Sequence, residues 1–145
     1  MAFVRSPYAH ARITSIDTSP AAGMEGVHAV YTADDVRHLG PLLAQVPVGK
    51  LRPLLADGVV KHAGEAVAMV VADTRYLARD AADAVVVDYE PLPAVVDLKE
   101  AVSDTHKVHE DLESNTIVTW EGGPWGNDEG IAESKQAIAA AKERD

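Results

Sequence analysis

The run of apolar residues from Ala66 to Ala72 constrains the fold of this chain more than any other feature. It is rich in Val and has no polar position, which is typical of a strand buried on both faces. A helix is expected to follow from Thr74 to about Ala84, with Asp73 as its N-terminal cap and with an apolar side formed by Leu77, Ala78, Ala81 and Ala82. The chain then returns as a Val-rich strand over 85–89. This spacing of strand, helix and strand predicts a crossover unit.

Shorter elements surround this unit. Thr32 and Asp35 form a predicted capping box that starts a short helix ending at His38, and Asp97 with Glu100 forms another before a helix over 98–102. Residues 40–58, rich in Pro, Gly and Leu, are expected to form a long loop. Further strands are predicted over 3–5, 9–17, 27–31, 59–61 and 116–120, and a helical turn follows Thr18 and ends at Gly23 or Gly26.

The last part of the sequence predicts one more helix, from Glu129 to Arg144, after a glycine-rich break. Its apolar face is thin, because it consists of Ile131 and Ile138. A helix of this length is marginal in water without a partner surface. We therefore expect the isolated chain to self-associate unless another polypeptide covers that face.

Composition narrows the functional classes. With 145 residues the chain is long enough for one domain with a hydrophobic core. Its formal net charge of −10 disfavours binding to nucleic acid or to anionic membranes. The sequence has no Cys, which excludes disulfides, thiolate metal sites and cysteine nucleophiles. The first residues lack the basic and then apolar segments of a signal peptide. No apolar segment is long enough to span a membrane, so a cytoplasmic chain is expected.

The residues that most often bind metals or act as acids and bases do not form a recognisable site. Of the six His residues, only His106 and His109 lie close together, and no third ligand has a diagnostic spacing, so both are expected to be solvated loop histidines. Asp34 and Asp35 fall at a predicted helix start, where their charge offsets the helix dipole. The glycines from 122 to 130 lack the Lys and Ser or Thr that complete a phosphate-binding loop.

Gly64 and Glu65 leave an alternative open. They stand at the mouth of the buried strand, where the glycine can admit another backbone and the carboxylate can lie beside a cleft. The simpler interpretation is an edge glycine followed by a solvated glutamate. We predict no catalytic, cofactor-binding or metal-binding residue in this chain.

Several segments carry a recognisable pattern in their order along the chain. They are FVRSPYAHARI at 3–13, PLLADG at 53–58, GEAVA at 64–68, ARDAA at 78–82 and VDYEPLPAVVD at 87–97. Together they resemble the large subunits of the carbon monoxide dehydrogenase, aldehyde oxidase and xanthine dehydrogenase family. The stretch YEPLPA at 89–94 is the most specific of them, and the resemblance spans roughly Phe3 to Trp120.

The resemblance implies an α+β domain of the α/β hammerhead type over residues 1–120, with a mixed sheet and short flanking helices. Residues 121–145 are then a linker and C-terminal helix leading toward molybdopterin-binding domains that this chain lacks. It further implies an enzyme that inserts a water-derived oxygen into its substrate at a molybdopterin-bound molybdenum. The implied partners are the remainder of the molybdenum subunit and the iron–sulfur and flavin units, which carry 2Fe-2S and FAD. Carbon monoxide, aldehydes and purines or other heterocycles all stay open as substrates.

This chain departs from the family pattern in length and in its last residues, and these departures suggest that it is inactive alone. Family large subunits are several times longer, and their cofactor-binding segments and catalytic glutamate lie beyond this domain. Residues 122–145 follow the family's Gly-Asp-x-x-x-Ala-Phe helix only loosely, without the Phe. We therefore expect a fragment, a truncated reading frame or a split subunit that is inactive alone. The alternative is a free-standing interaction module that keeps the hammerhead fold without catalysis.

Overall fold

The computed structural model describes residues 1–42 and 51–117, together with residues 132, 135 and 136. These ranges contain two three-stranded antiparallel sheets with short helices. The strands are β1 Ala2–Arg5, β2 Ala11–Asp17, β3 Val27–Tyr31, β4 Val59–Val60, β5 Ala66–Ala72 and β6 Val86–Pro91. The helices are α1 Ser19–Ala22, α2 Ala33–Val36, α3 Arg75–Ala84 and α4 Leu98–Ser103, with a 3₁₀ turn at Arg37–Leu39.

The apolar run forms the central strand of the first sheet, whose order is β1-β5-β3. Met69 lies opposite Phe3 on one side and opposite Tyr31 on the other. Val67, Ala68 and Val70 of β5 are fully buried, as the lack of polar positions predicts. The second sheet has the order β4-β2-β6, so β2 is its central strand.

The α+β class is confirmed, but the predicted crossover unit and mixed sheet are wrong. β5 and β6, which α3 connects, lie in different sheets, and every strand pairing among the described residues is antiparallel. The reason lies in the sequence of β6, where Val86, Asp88 and Glu90 are exposed and alternate with half-buried Val87 and Tyr89. Such alternation is typical of an antiparallel strand with one face in water, not of a parallel strand covered on both faces.

The helix caps agree with the sequence at two helices and differ at one. Asp35 accepts a hydrogen bond from the Thr32 N–H at 2.7 Å, and Asp97 caps α4 by accepting from two backbone N–H groups. At α3, however, the cap is Thr74, whose hydroxyl oxygen accepts from the Leu77 N–H at 3.1 Å. The predicted cap Asp73 instead pairs with His28 on the surface, so the prediction was wrong by one residue.

The hydrophobic core consists of two clusters that share neighbours. The first lies between the first sheet, α1 and α3, and its buried members are Ala21, Val70, Ala81, Ala82 and Val85. The second lies against the second sheet, and its buried members are Ala11, Ala56, Val60 and Val67. Ile16 and Val87 pack against both clusters, so the two sheets share one continuous apolar interior. Strand β5 supplies Val70 to the first cluster and Val67 to the second.

Several predictions for the later part of the chain lie outside the described residues. Thr116 and Ile117 are not in a strand, and the other residues of the strand predicted over 116–120 are outside the description. The predicted glycine-rich break after residue 121 also lies outside the described residues, as do Ile131 and Ile138. Residues 132, 135 and 136 are helical, in agreement with the predicted last helix. No helix within the described ranges is long and apolar enough to cross a membrane.

Candidate functional site

Buried polar side chains gather where the chain passes between the two sheets. Ser6, His10 and Glu65 are each less than a tenth exposed. Ser6 and His10 belong to the link between β1 and β2, which lie in different sheets, and Glu65 directly precedes β5. We call residues 6–10, 61–65 and 89–93 the polar corner. It is the strongest candidate site in the described part of the chain, because buried polar groups require specific partners.

Ser6 joins the β1–β2 link to the start of β5. Its N–H donates to the Glu65 carbonyl at 2.9 Å, and its own carbonyl accepts from the Gly64 N–H at 2.8 Å. The Ser6 hydroxyl accepts a hydrogen bond from the Tyr8 N–H at 3.0 Å and donates one to the Tyr8 carbonyl at 3.2 Å. A nucleophilic serine needs a base within hydrogen-bond reach. The contacts of Ser6 with backbone groups indicate a structural role instead.

Glu65 turns its carboxylate inward. Its Oε2 accepts a hydrogen bond from the Lys61 N–H at 2.6 Å, and His62 Nδ1 lies 3.6 Å from the same oxygen. Gly64 has φ +85°, a left-handed conformation that favours glycine. Of the two alternatives that the sequence left open, a backbone contact is present, because the Gly64 N–H donates to the Ser6 carbonyl. A Cβ at Gly64 would meet no atom within 4 Å, so its positive φ, and not a close approach, favours glycine there. The interpretation of Glu65 as solvated is wrong, because its carboxylate is buried and accepts a hydrogen bond from the Lys61 N–H.

His10 ties the β1–β2 link to the segment after β6. Its Nδ1 lies 2.7 Å from the Pro93 carbonyl oxygen, and the His10 carbonyl accepts from the Leu92 N–H at 3.0 Å. A carbonyl can only accept, so Nδ1 carries the proton. Nearby, the rings of Tyr8 and Tyr89 pack at 5.2 Å between centroids. Burial raises the pKa of Tyr89, an effect that the nearby Ser6 hydroxyl partly opposes.

The other candidate histidines and carboxylates occupy separate positions. His106 is exposed, 3.9 Å from Glu100, whereas His109 is half-buried, which corrects the expectation that both are solvated. Asp34 lies at the start of α2, as predicted, and its carboxylate accepts from Arg37 at 2.8 Å. No group of three or more His, Cys, Asp or Glu side chains in the described ranges could hold a metal ion.

A cavity of about 350 Å³ beside α2 is a second candidate. Its wall is largely apolar, and it includes Arg37, Asp57 and Lys61. Arg37 is neutralised by a two-point contact with Asp57, at 3.0 Å and 2.8 Å, in addition to its contact with Asp34. A ligand site normally presents a few convergent polar groups that are free to bind. Here the guanidinium is already bound, so the pair holds α2 against the loop that contains Asp57.

Two of the family motifs in the sequence contain residues of the polar corner, although the search for catalytic and metal-binding residue types did not find it. Ser6 and His10 belong to the FVRSPYAHARI segment, and Tyr89 and Pro93 belong to VDYEPLPAVVD. The structure brings these two segments together at the corner. Two of the motifs that carry the family resemblance therefore meet in structural contacts that continue the pairing of β2 with β6.

The two antiparallel sheets and the polar corner define a small α+β domain in which buried polar residues fix the backbone. The chain belongs to the family described as aldehyde oxidase and xanthine dehydrogenase, a/b hammerhead domain, which matches residues 1–93. The resemblance noted in the sequence is thereby confirmed.

Relatives of known identity place this domain within larger proteins. The carbon monoxide dehydrogenase large chain of Afipia carboxidovorans is 42% identical over 134 residues, covering 83% of this chain and 17% of that protein. The nicotine 6-hydroxylase large subunit of Paenarthrobacter nicotinovorans is 35% identical, covering 95% and 18%. The crystal structure of quinoline 2-oxidoreductase from Pseudomonas putida 86 superimposes with a TM-score of 0.73 at 41% identity, covering 78% and 15%. The chain thus spans less than a fifth of these relatives and matches one domain of molybdenum hydroxylase large subunits.

Proposed function

We propose that this chain is the hammerhead domain of a molybdopterin-dependent hydroxylase large subunit and acts there as a scaffold. The observation that carries the proposal is its 42% identity to the carbon monoxide dehydrogenase large chain, of which it spans 17%. The polar corner supports a scaffold role, because its buried groups are bound to backbone atoms. Carbon monoxide, aldehyde and heterocycle oxidation are equally compatible with the relatives.

The proposed enzyme uses molybdenum, 2Fe-2S and FAD, and the residues of this chain do not fit these groups. An iron–sulfur cluster needs thiolate ligands, and the sequence has no Cys. The described ranges offer no cluster of His, Asp or Glu for a metal. We therefore assign the cofactors to the remainder of the large subunit and to iron–sulfur and flavin polypeptides. No catalytic, cofactor-binding or metal-binding role is assigned to a residue of this chain.

The proposed domain boundaries extend beyond the family match. We propose that the hammerhead domain comprises residues 1–120 and that residues 121–145 connect it to the next domain. The 134-residue alignment with the carbon monoxide dehydrogenase large chain supports a continuation past residue 93. A cytoplasmic location is part of the same proposal, supported by a sequence that uses no Cys for disulfides.

The test is the metal content of the assembled protein. The complete reading frame that contains this sequence is expressed with its neighbouring genes, purified through a tag, and analysed for molybdenum, flavin and iron–sulfur absorbance. We expect stoichiometric molybdenum in the assembly and neither molybdenum nor pterin fluorescence in the 145-residue chain purified alone. An assembly without molybdenum would favour an interaction module. Turnover or a tightly bound pterin in the short chain alone would contradict the scaffold role.

A further inference from the structure

Helix α4 presents an aliphatic surface to solvent. Leu98 and Val102, four residues apart and hence on one face of the helix, are 80% and 68% exposed, and Val96 just before the helix is 84% exposed. No residue of α4 is buried. Exposed aliphatic side chains that share one helix face, as Leu98 and Val102 do, form a candidate contact surface for another polypeptide. We call Val96, Leu98 and Val102 the α4 surface.

Hydrogen bonds, not apolar packing, hold α4 in place. Asp97 caps its N-terminus by accepting from the N–H groups of Lys99 and Glu100 at 2.9 Å and 3.0 Å. At its C-terminus, the Asn115 side chain donates to the Ala101 carbonyl at 3.1 Å, and the Asn115 N–H donates to Asp104 Oδ1 at 2.6 Å.

This arrangement fixes the helix and leaves its aliphatic side chains available. A six-residue helix is too short to persist in water by itself. The polar contacts from Asp97 and Asn115 therefore order α4 in advance, so that docking it loses less conformational entropy.

The position of α4 indicates what covers it. The family match ends at residue 93, whereas similarity to the carbon monoxide dehydrogenase large chain covers 83% of this chain. Helix α4 thus lies between the matched domain and the rest of a polypeptide of which this chain spans only 17%. More than four fifths of such a large subunit is therefore available to contact the α4 surface.

The size of the α4 surface favours a partner on the same polypeptide. A stable interface between separate proteins buries about 800 Å² on each side, more than three aliphatic side chains can supply. A covalently linked partner needs much less area, because linkage gives it a high effective concentration. We propose that Val96, Leu98 and Val102 dock onto an apolar patch in the remainder of the large subunit polypeptide. This inference rests on the proposed function.

The test maps the neighbour of the α4 surface directly. The complete reading frame is expressed with its neighbouring genes and with the photo-crosslinking residue benzoylphenylalanine at position 98. The matched control carries it at position 99, where Lys99 lies on the same helix but points about 100° away. Crosslinks from position 98 are expected to reach residues of the large subunit beyond this chain, and to be stronger than those from position 99.

A second measurement tests whether the contact is apolar. Leu98→Ser with Val102→Ser is expected to speed amide hydrogen exchange in α4 roughly ten-fold in the assembled enzyme, because two aliphatic contacts are lost. Leu98→Met with Val102→Ile keeps the apolar surface and is expected to leave exchange unchanged. Lys99→Ser controls for the effect of serine on the helix itself. Equal exchange in the serine and conservative variants would overturn the proposal.

The outcomes separate this inference from the proposed function. Crosslinks to residues 118–145, to a second copy of the chain, or to a separate iron–sulfur or flavin polypeptide would overturn the α4 proposal. So would the lack of any crosslink from position 98. If molybdenum is present in the same preparation, the proposed function stands in each of these cases. If molybdenum is absent, the proposed function fails and the partner named for α4 fails with it.

Discussion

The carboxylate of Glu65 is buried, and the hydrogen bond it accepts comes from the backbone N–H of Lys61. Burying a carboxylate is costly unless its oxygen atoms accept hydrogen bonds. In return, the backbone N–H of Lys61 obtains the partner that a buried donor requires. The side chain thus closes the loop that places Gly64 against Ser6, and one residue holds one side of the polar corner.

Replacing Glu65 is therefore expected to destabilise the domain. Glu65→Ala leaves the Lys61 N–H without its acceptor and should lower the free energy of unfolding by about 2 kcal/mol, measured by urea denaturation. Glu65→Gln keeps an oxygen acceptor and should lose roughly half as much. The control is Glu90→Ala, because Glu90 is exposed and forms only a 3.5 Å contact with Arg12, so a change within about 0.5 kcal/mol is expected. Equal losses at positions 65 and 90 would refute the structural role of Glu65.

The Arg37–Asp57 pair makes stability depend on pH. Hydrogen bonds from Arg37 hold the pKa of Asp57 below its ordinary value of 3.8. Because the carboxylate is more acidic in the folded chain, its stabilisation is complete above pH 3.8 and is lost as pH falls through the folded pKa. Arg37→Ala should cost about 1 kcal/mol at neutral pH, since both side chains are about half exposed. This loss should disappear in strong acid.

Unfolding of the wild-type and Arg37→Ala chains at several pH values checks this expectation. Arg79→Ala is the matched control, because its pair with Asp83 is more exposed and has no two-point geometry. An Arg37→Ala penalty that grows as pH falls would contradict the assigned direction.

The burial of a polar residue cannot be predicted from its own chemistry when its hydrogen-bond partner is a main-chain group. The position of Gly64 before a buried strand left a backbone contact and a solvated edge as alternatives, and the sequence alone did not decide between them. The burial of Glu65 was not predictable, because a glutamate is usually exposed and its partner is a main-chain group with no signature in the sequence. The same holds for His10, whose partner is the Pro93 carbonyl oxygen.

At the scale of elements, the start of α3 shows where sequence patterns become ambiguous. Asp73 and Thr74 are adjacent, and both residue types are good N-caps. The structure selects Thr74 because its backbone is extended and its hydroxyl reaches the Leu77 N–H. The apolar side predicted for the helix is confirmed, with Ala78, Ala81 and Ala82 buried. The spacing of the apolar residues predicted the buried face of α3 correctly, whereas residue type alone did not identify its N-cap.

Substitution at the two positions separates their roles. Thr74→Ala should lower the free energy of unfolding by about 1 kcal/mol, because an N–H of the first turn loses its acceptor. Asp73→Ala removes only a solvent-exposed contact with His28 and should change it by less than about 0.5 kcal/mol. Thermal unfolding followed by circular dichroism measures both variants. A larger loss at Asp73 than at Thr74 would restore the capping role predicted for Asp73.

Across the two sheets, local sequence patterns did not predict which strands pair with each other. The apolar run predicted β5 and its burial correctly. The second strand of the presumed crossover joined the other sheet, because its alternating Asp88 and Glu90 suit one solvated face. The family resemblance predicted the hammerhead class, since it integrates pairings that are distant in sequence.

The shared interior predicts that the two sheets unfold together. Val67 and Val70 belong to different clusters, and Ile16 and Val87 contact both clusters. Val67→Ala and Val70→Ala should each lower the free energy of unfolding by about 2 kcal/mol, through lost burial and the cavity left behind. Each should shift a single transition seen alike by circular dichroism and by tyrosine absorbance at the corner. Two separated transitions in either variant would show that the sheets are independent.

The antiparallel pairings also set an order of events during translation. Within this chain, β1 is synthesised well before its partner β5, whose last residue is Ala72, and β2 pairs with β4 before β6 ends at Pro91. At about 5–20 residues per second, β1 has to wait several seconds for its partner. A nascent chain of this topology keeps β1 unpaired for that interval, when it is open to chaperones and to neighbouring nascent chains.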